Sequence, residues 1–265
     1  MHMPNPSSLA ERLWAARRDG VAIEIADRDI PADEAASYAV QTAAVAASGL
    51  GRIGWKIGST SEEAQKLLQT SGPGASAMLE AYCFIDGDEI PIFPAHVPAL
   101  EAEFALRFGR ALPPRAASYE ADEVLEAIDA VAPALEVVGS RRVGGLFGQG
   151  RFMVNADFGA NIAFARGAWV PDWRAHNLST ATVRLYVNEQ LKAEGVGAKA
   201  LGSPLNVAVW LANHLSQRGV GLQAGEVAST GTCTGVIQTQ PGEAIRLDFG
   251  ALGQLTVSMT AGREQ

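Results

Sequence analysis

The stretch VPALEAEFALRFG, residues 97–109, has the alternating pattern of a β-strand, and the rest of the chain can be interpreted from it. Its apolar side chains recur at every second position: Leu100, Ala102, Phe104 and Leu106. Glu101 and Glu103 stand between them, so a strand would place both carboxylates on its opposite face. Two neighbouring carboxylates repel each other and resist burial. The pattern therefore predicts either a solvent-exposed strand face or a cation that both glutamates bind.

A second PALE sequence, residues 133–136, places Glu136 in another short apolar run, PALEVVG. Three carboxylates on strands would offer only oxygen ligands, which is the set that Mg²⁺ or Mn²⁺ prefers. No histidine or cysteine stands beside these glutamates, and this argues against zinc. The alternative is structural: a Glu-x-Glu pair on a solvent-exposed face, with Glu136 paired to Arg141 or Arg142. The residues alone leave both interpretations open.

The composition excludes several classes of protein. With 265 residues, 48% of them hydrophobic, the chain is long enough for one large domain with a real core. A formal net charge of −8 argues against nucleic-acid or anionic-membrane partners. No apolar run is long enough to span a membrane, and the N-terminal segment lacks the apolar stretch of a signal peptide. We expect a cytoplasmic protein in which Cys83 and Cys233 are reduced thiols.

The distribution of helical and strand patterns predicts an α+β fold rather than a doubly wound sheet. Helical patterns dominate residues 1–75, and short strand patterns dominate residues 76–265. We expect a mostly helical N-terminal region followed by a β-rich catalytic domain, with Pro31 at the start of the second helix. The longer helical patterns cover residues 11–20, 31–48, 120–132 and 203–219.

Other candidate site residues are ambiguous when taken singly. Lys56 in GWKIG is a lone cation in an apolar strand, which suits an active-site cation or a surface lysine. The segment STGTCTG, residues 229–235, includes Thr232 and could hold a substrate carboxylate or form a simple turn. The helix N-terminus at Ser203 could bind an anion or could simply be capped by the serine. The four histidines form no spaced motif, and His96 is the one near the candidate strands.

Five sequence blocks follow one another between roughly residues 50 and 260: GWKIGSTS, ALEAEFALRFGRALP, IDAVAPALEVVGSR, GAKALGSPLNVAVWLAN and LQAGEVASTGTCTG…PGEAIRLDFGALGQLTVSM. Together they resemble the 2-keto-4-pentenoate hydratases and 4-oxalocrotonate decarboxylases of the fumarylacetoacetate hydrolase superfamily. The resemblance implies a mixed β-roll or sandwich with a smaller helical N-terminal region. It also implies a divalent metal and a homo-oligomer.

The resemblance assigns roles to individual positions. The family's metal-binding Glu-x-Glu pair falls on Glu101 and Glu103, its third metal-binding glutamate on Glu136, and its active-site lysine on Lys56. The function implied is that of a Mg²⁺- or Mn²⁺-dependent hydratase. Such an enzyme adds water to a 2-hydroxy-2,4-dienoate, and the metal stabilises the negative charge of the dienolate.

Two segments depart from the family pattern. Where the hydratases carry an aspartate in a segment resembling LFADM, this chain has MLEAYCF, and Glu80 is the nearby acid that we predict to move protons. Where they carry ADNAS, this chain has VNADFGA, so Asn155 or Asp157 is expected to take over part of that role. The predicted substrate-binding residues are therefore Lys56, Asn155 and Thr232.

Other functions stay open at this stage. The chain could be a 4-oxalocrotonate-type decarboxylase or an acylpyruvate hydrolase, since these reactions pass through related enolates. A decarboxylase must hold a second substrate carboxylate, for which the candidates are Arg107, Arg141, Arg142 and Arg151. A third possibility is a non-catalytic subunit that binds a metal and a 2-oxo acid. The expected partners are a small 2-oxo or 2-hydroxydienoic acid, further copies of the chain, and a sister decarboxylase or hydratase.

Overall fold

A computed structural model describes residues 6–67 and 70–263, and in this part of the chain two β-sheets carry most of the structure. The helices are α1 (Pro6–Asp19), α2 (Glu34–Ser48), α3 (Glu62–Leu67), α4 (Ala121–Ala127), α5 (Arg151–Ala156) and α6 (Pro204–Gln217). The strands are β1 (Arg52–Gly58), β2 (Gly74–Leu79), β3 (Cys83–Ile85), β4 (Glu89–Ile92), β5 (Ala99–Phe108), β6 (Ile128–Val138), β7 (Asn161–Arg166), β8 (Thr182–Val187), β9 (Gln190–Val196), β10 (Val227–Ser229), β11 (Ile237–Gln238), β12 (Ala244–Asp248) and β13 (Gln254–Ala261).

The larger sheet has the strand order β2-β1-β10-β5-β6-β7-β3, and β11 pairs with one end of β5. The smaller sheet has the order β4-β13-β12-β8-β9. Both sheets are mixed: β1 pairs in parallel with β10, and β4 with β13, whereas β5 and β6 are antiparallel. Sheets and helices in this arrangement confirm the predicted α+β class. Among the residues that the structure describes, no helix is long and apolar enough to cross a membrane.

Strand β5 lies in the middle of the larger sheet and is buried on both faces. On one face Phe104 packs edge to face on Phe249, with 5.0 Å between ring centroids, and Leu247 of the smaller sheet joins the same core. On the other face Ala105 belongs to a second apolar cluster with Phe164 of β7. The alternating side chains of residues 97–109 therefore point to two faces of the sheet, and both faces are buried in the interior.

The two N-terminal helices cover part of the larger sheet together with α5. Their shared apolar cluster includes Leu9, Leu13, Val40, Ala44, Leu79, Met153 and Phe158. Helices α1 and α2 are each followed directly by a glycine in the left-handed region: Gly20 with φ of 73° and Gly49 with φ of 65°. Helix α2 begins at Glu34 rather than at Pro31, because Asp33 caps it by accepting the backbone N–H of Ala36 at 2.8 Å.

The helix predicted for residues 120–132 was wrong in its second half. Helix α4 ends at Ala127, and the chain continues directly into β6, where Ile128 and Val131 are buried in the sheet. Their spacing fits a helix, but pairing of this segment with β5 and β7 overrides the local pattern. Residue 75, the predicted domain boundary, lies inside β2, which joins the larger sheet; the division into two domains stays a prediction.

Candidate metal centre and its cavity

Three glutamates meet on one face of the larger sheet. Glu101 of β5 lies directly opposite Glu136 of β6, and Glu103 lies two residues further along β5 on the same side. One carboxylate oxygen from each lies within 4.8 Å of the others. Glu103 and Glu136 have no exposed surface, and Glu101 is partly buried. The solvent-exposed alternative for this Glu-x-Glu pair is therefore wrong.

Glu103 is held by the segment that follows β10. The hydroxyl of Ser229 and the backbone N–H of Gly231 both donate to its Oε2, the latter at 2.9 Å. Ser229 reaches this position because it pairs with Ala105, which is two residues from Glu103 on the same face of the sheet. The other oxygen of Glu103, Oε1, is buried without a hydrogen-bond partner among the described residues.

Lys56 of β1 supplies a buried cation beside the glutamates. Its Nζ donates to the backbone oxygen of Gly159 at 2.6 Å and lies 3.3 Å from Oε2 of Glu136. Oε1 of Glu136 accepts a hydrogen bond of 2.9 Å from the Nδ2 of Asn161. Glu136 therefore pairs with Lys56 instead of with Arg141 or Arg142.

The electrostatics of this cluster favour a further positive charge. Burial, and then the neighbouring Glu136, raise the pKa of Glu101 to about 7. Burial also raises the pKa of Glu103 well above its usual value and raises the pKa of Glu136, although Lys56 opposes the latter shift. Burial disfavours the charge of Lys56, but the carboxylates outweigh this effect and raise its pKa. One ammonium does not offset three carboxylates.

The residues present fit a divalent cation. Within the described part of the chain, Oε1 of Glu103 has no partner, and the ammonium of Lys56 is the one polar group beside Oε2 of Glu136. A buried carboxylate oxygen without a partner is costly, and a bound ion would satisfy both oxygens. The donor set is oxygen only, which suits a hard cation such as Mg²⁺.

A narrow cavity with a water-accessible volume of about 80 Å³ adjoins this cluster. Lys56, Glu101 and Asn155 form its polar wall. Asn155 is 5% exposed, and its Nδ2 has no hydrogen-bond partner among the described residues. The apolar wall consists of Val138, Leu146, Phe147, Val154 and Val236, and the side chain of Arg151 also lines the cavity. The cavity is therefore polar beside the glutamates and largely apolar along its remaining wall.

Comparison with known proteins agrees with this geometry. Residues 77–260 match the family described as fumarylacetoacetate (FAA) hydrolase, C-terminal. The chain belongs to the fumarylacetoacetate hydrolase family. Within the family it is 33% identical over 209 residues to a 2-keto-4-pentenoate hydratase of Paraburkholderia xenovorans, which covers 78% of this chain and 76% of the relative. It is 31% identical over 256 residues to a 2-oxo-hept-4-ene-1,7-dioate hydratase of Escherichia coli, which covers 94% of this chain and 95% of the relative.

A solved structure of another family member has the same fold. It is a 4-oxalocrotonate decarboxylase from Pseudomonas putida G7, complexed with magnesium and adipate. The TM-score is 0.85 at 27% sequence identity, over 96% of this chain and 97% of that one. The family and the β-roll or sandwich fold implied by the sequence blocks are confirmed, and so is the expectation of an enzyme.

Two of the predicted site residues lie apart from the cavity of this family member. Glu80 is exposed, in a short 3₁₀ turn, and does not line the cavity. Thr232 lines a separate surface groove, and its hydroxyl is hydrogen-bonded to the backbone of Gly235. The predicted proton transfer by Glu80 and the predicted substrate binding by Thr232 therefore gain no support from this cavity and stay predictions.

The remaining candidates divide between structural and cavity positions. His96 is buried, and its Nε2 lies 2.9 Å from the backbone oxygen of Val21, so it is structural. Ser203 caps α6 by accepting from the backbone N–H of Leu205. Arg107 and Arg142 form partly exposed ion pairs, and Arg141 is buried against Asp157. Among the four candidate arginines, Arg151 is the one that lines the cavity.

Sequence reasoning missed two residues that support the glutamates, Ser229 and Asn161. Ser229 belongs to the segment STGTCTG, in which the sequence analysis predicts a role for the hydroxyl of Thr232 and not for that of Ser229. The alternation in that segment was visible, but its register against β5 depends on a contact more than a hundred residues away along the chain. Asn161 carries no motif that would have identified it.

Proposed function

We propose that this family member is a divalent-metal-dependent hydratase, a lyase that adds water to a 2-hydroxy-2,4-dienoate. The observation that carries the proposal is the convergence of Glu101, Glu103 and Glu136 beside Lys56, at the polar wall of a small cavity. The names of several relatives, 2-keto-4-pentenoate hydratase among them, support hydration as the main reaction.

The cofactor that we propose is Mg²⁺ or Mn²⁺, held by Glu101, Glu103 and Glu136. The oxygen-only donor set supports a metal, and two solved decarboxylase structures contain magnesium or calcium. Bound there, the ion would supply positive charge for the negative charge that develops on a 2-oxo oxygen of the substrate.

The side chains of the cavity would bind and orient the substrate. The Lys56 ammonium has three N–H groups, of which one donates to Gly159 and another faces Glu136, so the third is available for a substrate carboxylate. The same Nζ would hold the proton that passes between a substrate oxygen and water. The unpartnered Nδ2 of Asn155 is available to a water molecule or a substrate hydroxyl.

The apolar wall would receive the unsaturated chain of the substrate. Val138, Leu146 and Val236 offer hydrocarbon surface in the cavity that Lys56 and Glu101 also line. A wall of this kind limits bulk water and strengthens the electrostatic interactions at the polar end. A short 2-hydroxydienoate, with its polar groups at one end, matches this division.

The test is a hydration assay with 2-hydroxypenta-2,4-dienoate. The reaction is monitored by the loss of the absorbance of the conjugated diene. We expect activity with Mg²⁺ or Mn²⁺, loss of activity after exhaustive treatment with EDTA, and recovery when the metal is added back. In Glu103→Gln the side-chain volume is kept and one charge is removed, so we expect at least a 100-fold loss of kcat. Glu80→Gln is the matched substitution outside the cavity, and we expect its kcat to stay within two-fold.

Two outcomes would contradict the proposal. Full activity after chelation, or in Glu103→Gln, would show that the glutamates do not act through a metal. Tight binding of oxalate without turnover of any 2-hydroxydienoate would instead support a non-catalytic subunit.

A second candidate is a reaction on a dioate, either hydration or decarboxylation, and Arg151 favours it. This arginine lines the cavity, although Nη2 also pairs with Glu34 at 2.7 Å. Its guanidinium could hold a distal carboxylate, as a 2-oxo-ene-dioate requires. Parallel assays of CO₂ release and water addition distinguish the two reactions. If Arg151 binds that carboxylate, Arg151→Gln will raise KM for the dioate and not for the pentadienoate.

We further propose that the chain is cytoplasmic, forms a homo-oligomer, and associates with a sister decarboxylase or hydratase. The family resemblance supports the two assemblies. Sedimentation of the purified protein tests the oligomer, fractionation of cells tests the location, and co-purification with a tagged chain tests the association.

A further inference from the structure

The turn between α5 and β7 has an unusual backbone. Phe158, Gly159 and Ala160 are consecutive residues in the left-handed region, with φ of 51°, 61° and 67°. Phenylalanine and alanine rarely adopt this conformation, so the surrounding structure must impose it. The turn carries the backbone oxygen of Gly159 to the Nζ of Lys56, at 2.6 Å. A strained turn therefore fixes one side of the candidate site.

Arg141 joins the two ends of this turn. Its Nε donates to Oδ1 of Asp157 at 2.6 Å, and its backbone N–H donates to Oδ2 of the same residue at 2.9 Å. Its Nη2 donates to the backbone oxygen of Asp157 at 2.5 Å, and Nη1 donates to that of Asn161 at 2.9 Å. Both members of the Arg141–Asp157 pair are almost completely buried. The guanidinium thus spans residues 157 to 161 and closes the turn.

Asn161 connects this turn to the glutamates. Its Nδ2 donates to Oε1 of Glu136 at 2.9 Å, while its Oδ1 accepts from Nη2 of Arg17 at 3.1 Å. Arg17 donates from the same nitrogen to the backbone oxygen of Ile162 at 3.0 Å. Because a guanidinium can only donate, it forces the amide oxygen toward Arg17 and the amide nitrogen toward Glu136.

Arg17 is itself fixed in place. It is 3% exposed, and its guanidinium carbon lies 4.2 Å from the ring centroid of Tyr82 and 4.7 Å from that of Phe158. It comes from α1, outside residues 77–260, the part that matches the family. The N-terminal helix therefore reaches the candidate metal centre through one intermediate residue, Asn161.

We propose that Arg17 and the Arg141–Asp157 pair are positioning residues that orient Glu136 and Lys56 through Asn161 and the 158–160 turn. The inference rests on the proposed function, in which Glu136 is a metal ligand. Partners of metal-binding side chains that lie outside the ligand set commonly change metal affinity by 10- to 100-fold when they are removed. Among the described residues, Arg17 hydrogen-bonds neither the glutamates nor a residue that lines the cavity, so its effect on metal binding passes through Asn161 and, by way of Phe158, through the 158–160 turn.

The test is calorimetric titration of the full chain with Mn²⁺ and with Mg²⁺, supported by unfolding curves. We expect Arg17→Met and Asn161→Leu each to weaken Mn²⁺ binding about 10-fold. In the double variant the loss should be smaller than the sum of the two single losses, because Arg17 acts largely through that amide. Arg17→Lys keeps a charged donor and should bind Mn²⁺ with an affinity between those of the wild type and Arg17→Met. If Arg17→Met fails to fold, Arg17→Lys is the variant that is compared with the wild type.

Leu13→Ala is the matched control, since it destabilises the same helix at a fully buried position that belongs to the apolar cluster. We expect it to lower stability and leave Mn²⁺ affinity unchanged. Equal Mn²⁺ affinities in Arg17→Met and Leu13→Ala, or additive losses of affinity in the double variant, would overturn this inference. The proposed function would be unaffected by either result. Mn²⁺ binding that survives Glu103→Gln would overturn the proposed function and this inference together.

Discussion

Nζ of Lys56 lies 3.3 Å from Oε2 of Glu136, and both side chains are buried. The candidate site therefore contains its own cation on one side of the three carboxylates. Such a pair is strongly coupled, because removal of one partner leaves the other charge uncompensated in the interior. The position also places the proposed proton carrier next to a candidate metal ligand, so the roles of the two residues can be separated by experiment.

Replacement of the ammonium in Lys56→Met should separate catalysis from metal binding. We expect kcat for hydration to fall by roughly 100-fold or more, as for a lost proton-transfer group. The affinity for Mg²⁺ should not fall, because a positive charge beside Glu136 repels a divalent ion. Turnover assays and calorimetry measure the two effects. Lys66→Met, at an exposed lysine, is the control, and loss of Mg²⁺ binding in Lys56→Met would contradict the assignment.

The hydroxyl of Ser229 should matter for metal binding, and that of Thr232 should not. Ser229→Ala removes the hydroxyl that donates to Oε2 of Glu103, so we expect Mg²⁺ affinity to weaken about 10-fold. Thr232→Ala removes a hydroxyl that is hydrogen-bonded to the backbone of Thr234 and Gly235, so the Mg²⁺ affinity should stay within two-fold. Titration calorimetry of both variants provides the comparison. The reverse order of effects would restore Thr232 as the functional residue of this segment.

Local spacing explains why part of the site could be predicted from the sequence. Glu101 and Glu103 are two residues apart in a strand, and strand periodicity alone places them on one face. Their pairing with Glu136 needed the repeated PALE sequence and the family resemblance, because the register between β5 and β6 is not encoded locally.

Long-range contacts explain the errors. The apolar spacing that includes Ile128 fits a helix, and the pairing of this segment with β5 overrides it. Glu80 was selected because it is near an expected aspartate in the sequence, yet it ends on an exposed turn. Arg17 and Asn161 are separated by 144 positions along the chain, and no sequence pattern connects them.

A close approach of two strands makes Gly54 sensitive to any side chain. Gly54 of β1 pairs with Val227 of β10, and a Cβ at this position would lie 1.9 Å from the backbone oxygen of Val227. Gly54→Ala must push apart the strands that carry Lys56 and Ser229. We expect a loss of about 3 kcal/mol or more in the free energy of unfolding, which is the upper end of the range for overpacked sites.

Urea unfolding measures that loss, and Gly72→Ala is the control because its Cβ would meet no atom of the described residues within 4 Å. We expect the control to lie within about 0.5 kcal/mol of the wild type, as for most surface substitutions. If Gly54→Ala were as stable as the wild type, β1 and β10 could not pair as closely as the structure shows.

The stability of the fold should fall in mild acid because His96 is buried in its neutral form. Burial, and then the positive charge of Arg141, lower the pKa of His96 from 6.5 to about 4, while Asp157 and hydrogen bonds to Ala16 and Val21 oppose the shift. The unfolded chain therefore binds a proton first as the pH falls. The fold is therefore destabilised as the pH falls, because protonation of His96 favours the unfolded chain. This effect is absent well above pH 6.5 and grows progressively as the pH falls toward 4.

From these two pKa values we expect His96 to cost about 2 kcal/mol of unfolding free energy between pH 8 and pH 5. In His96→Gln an uncharged donor takes the place of the ring, so the variant should lose about 2 kcal/mol less than the wild type over the same interval. Urea unfolding at both pH values measures the difference, and His176→Gln is the control at a position that is less buried. Equal pH dependence in the wild type and His96→Gln would show that His96 is not held neutral in the fold.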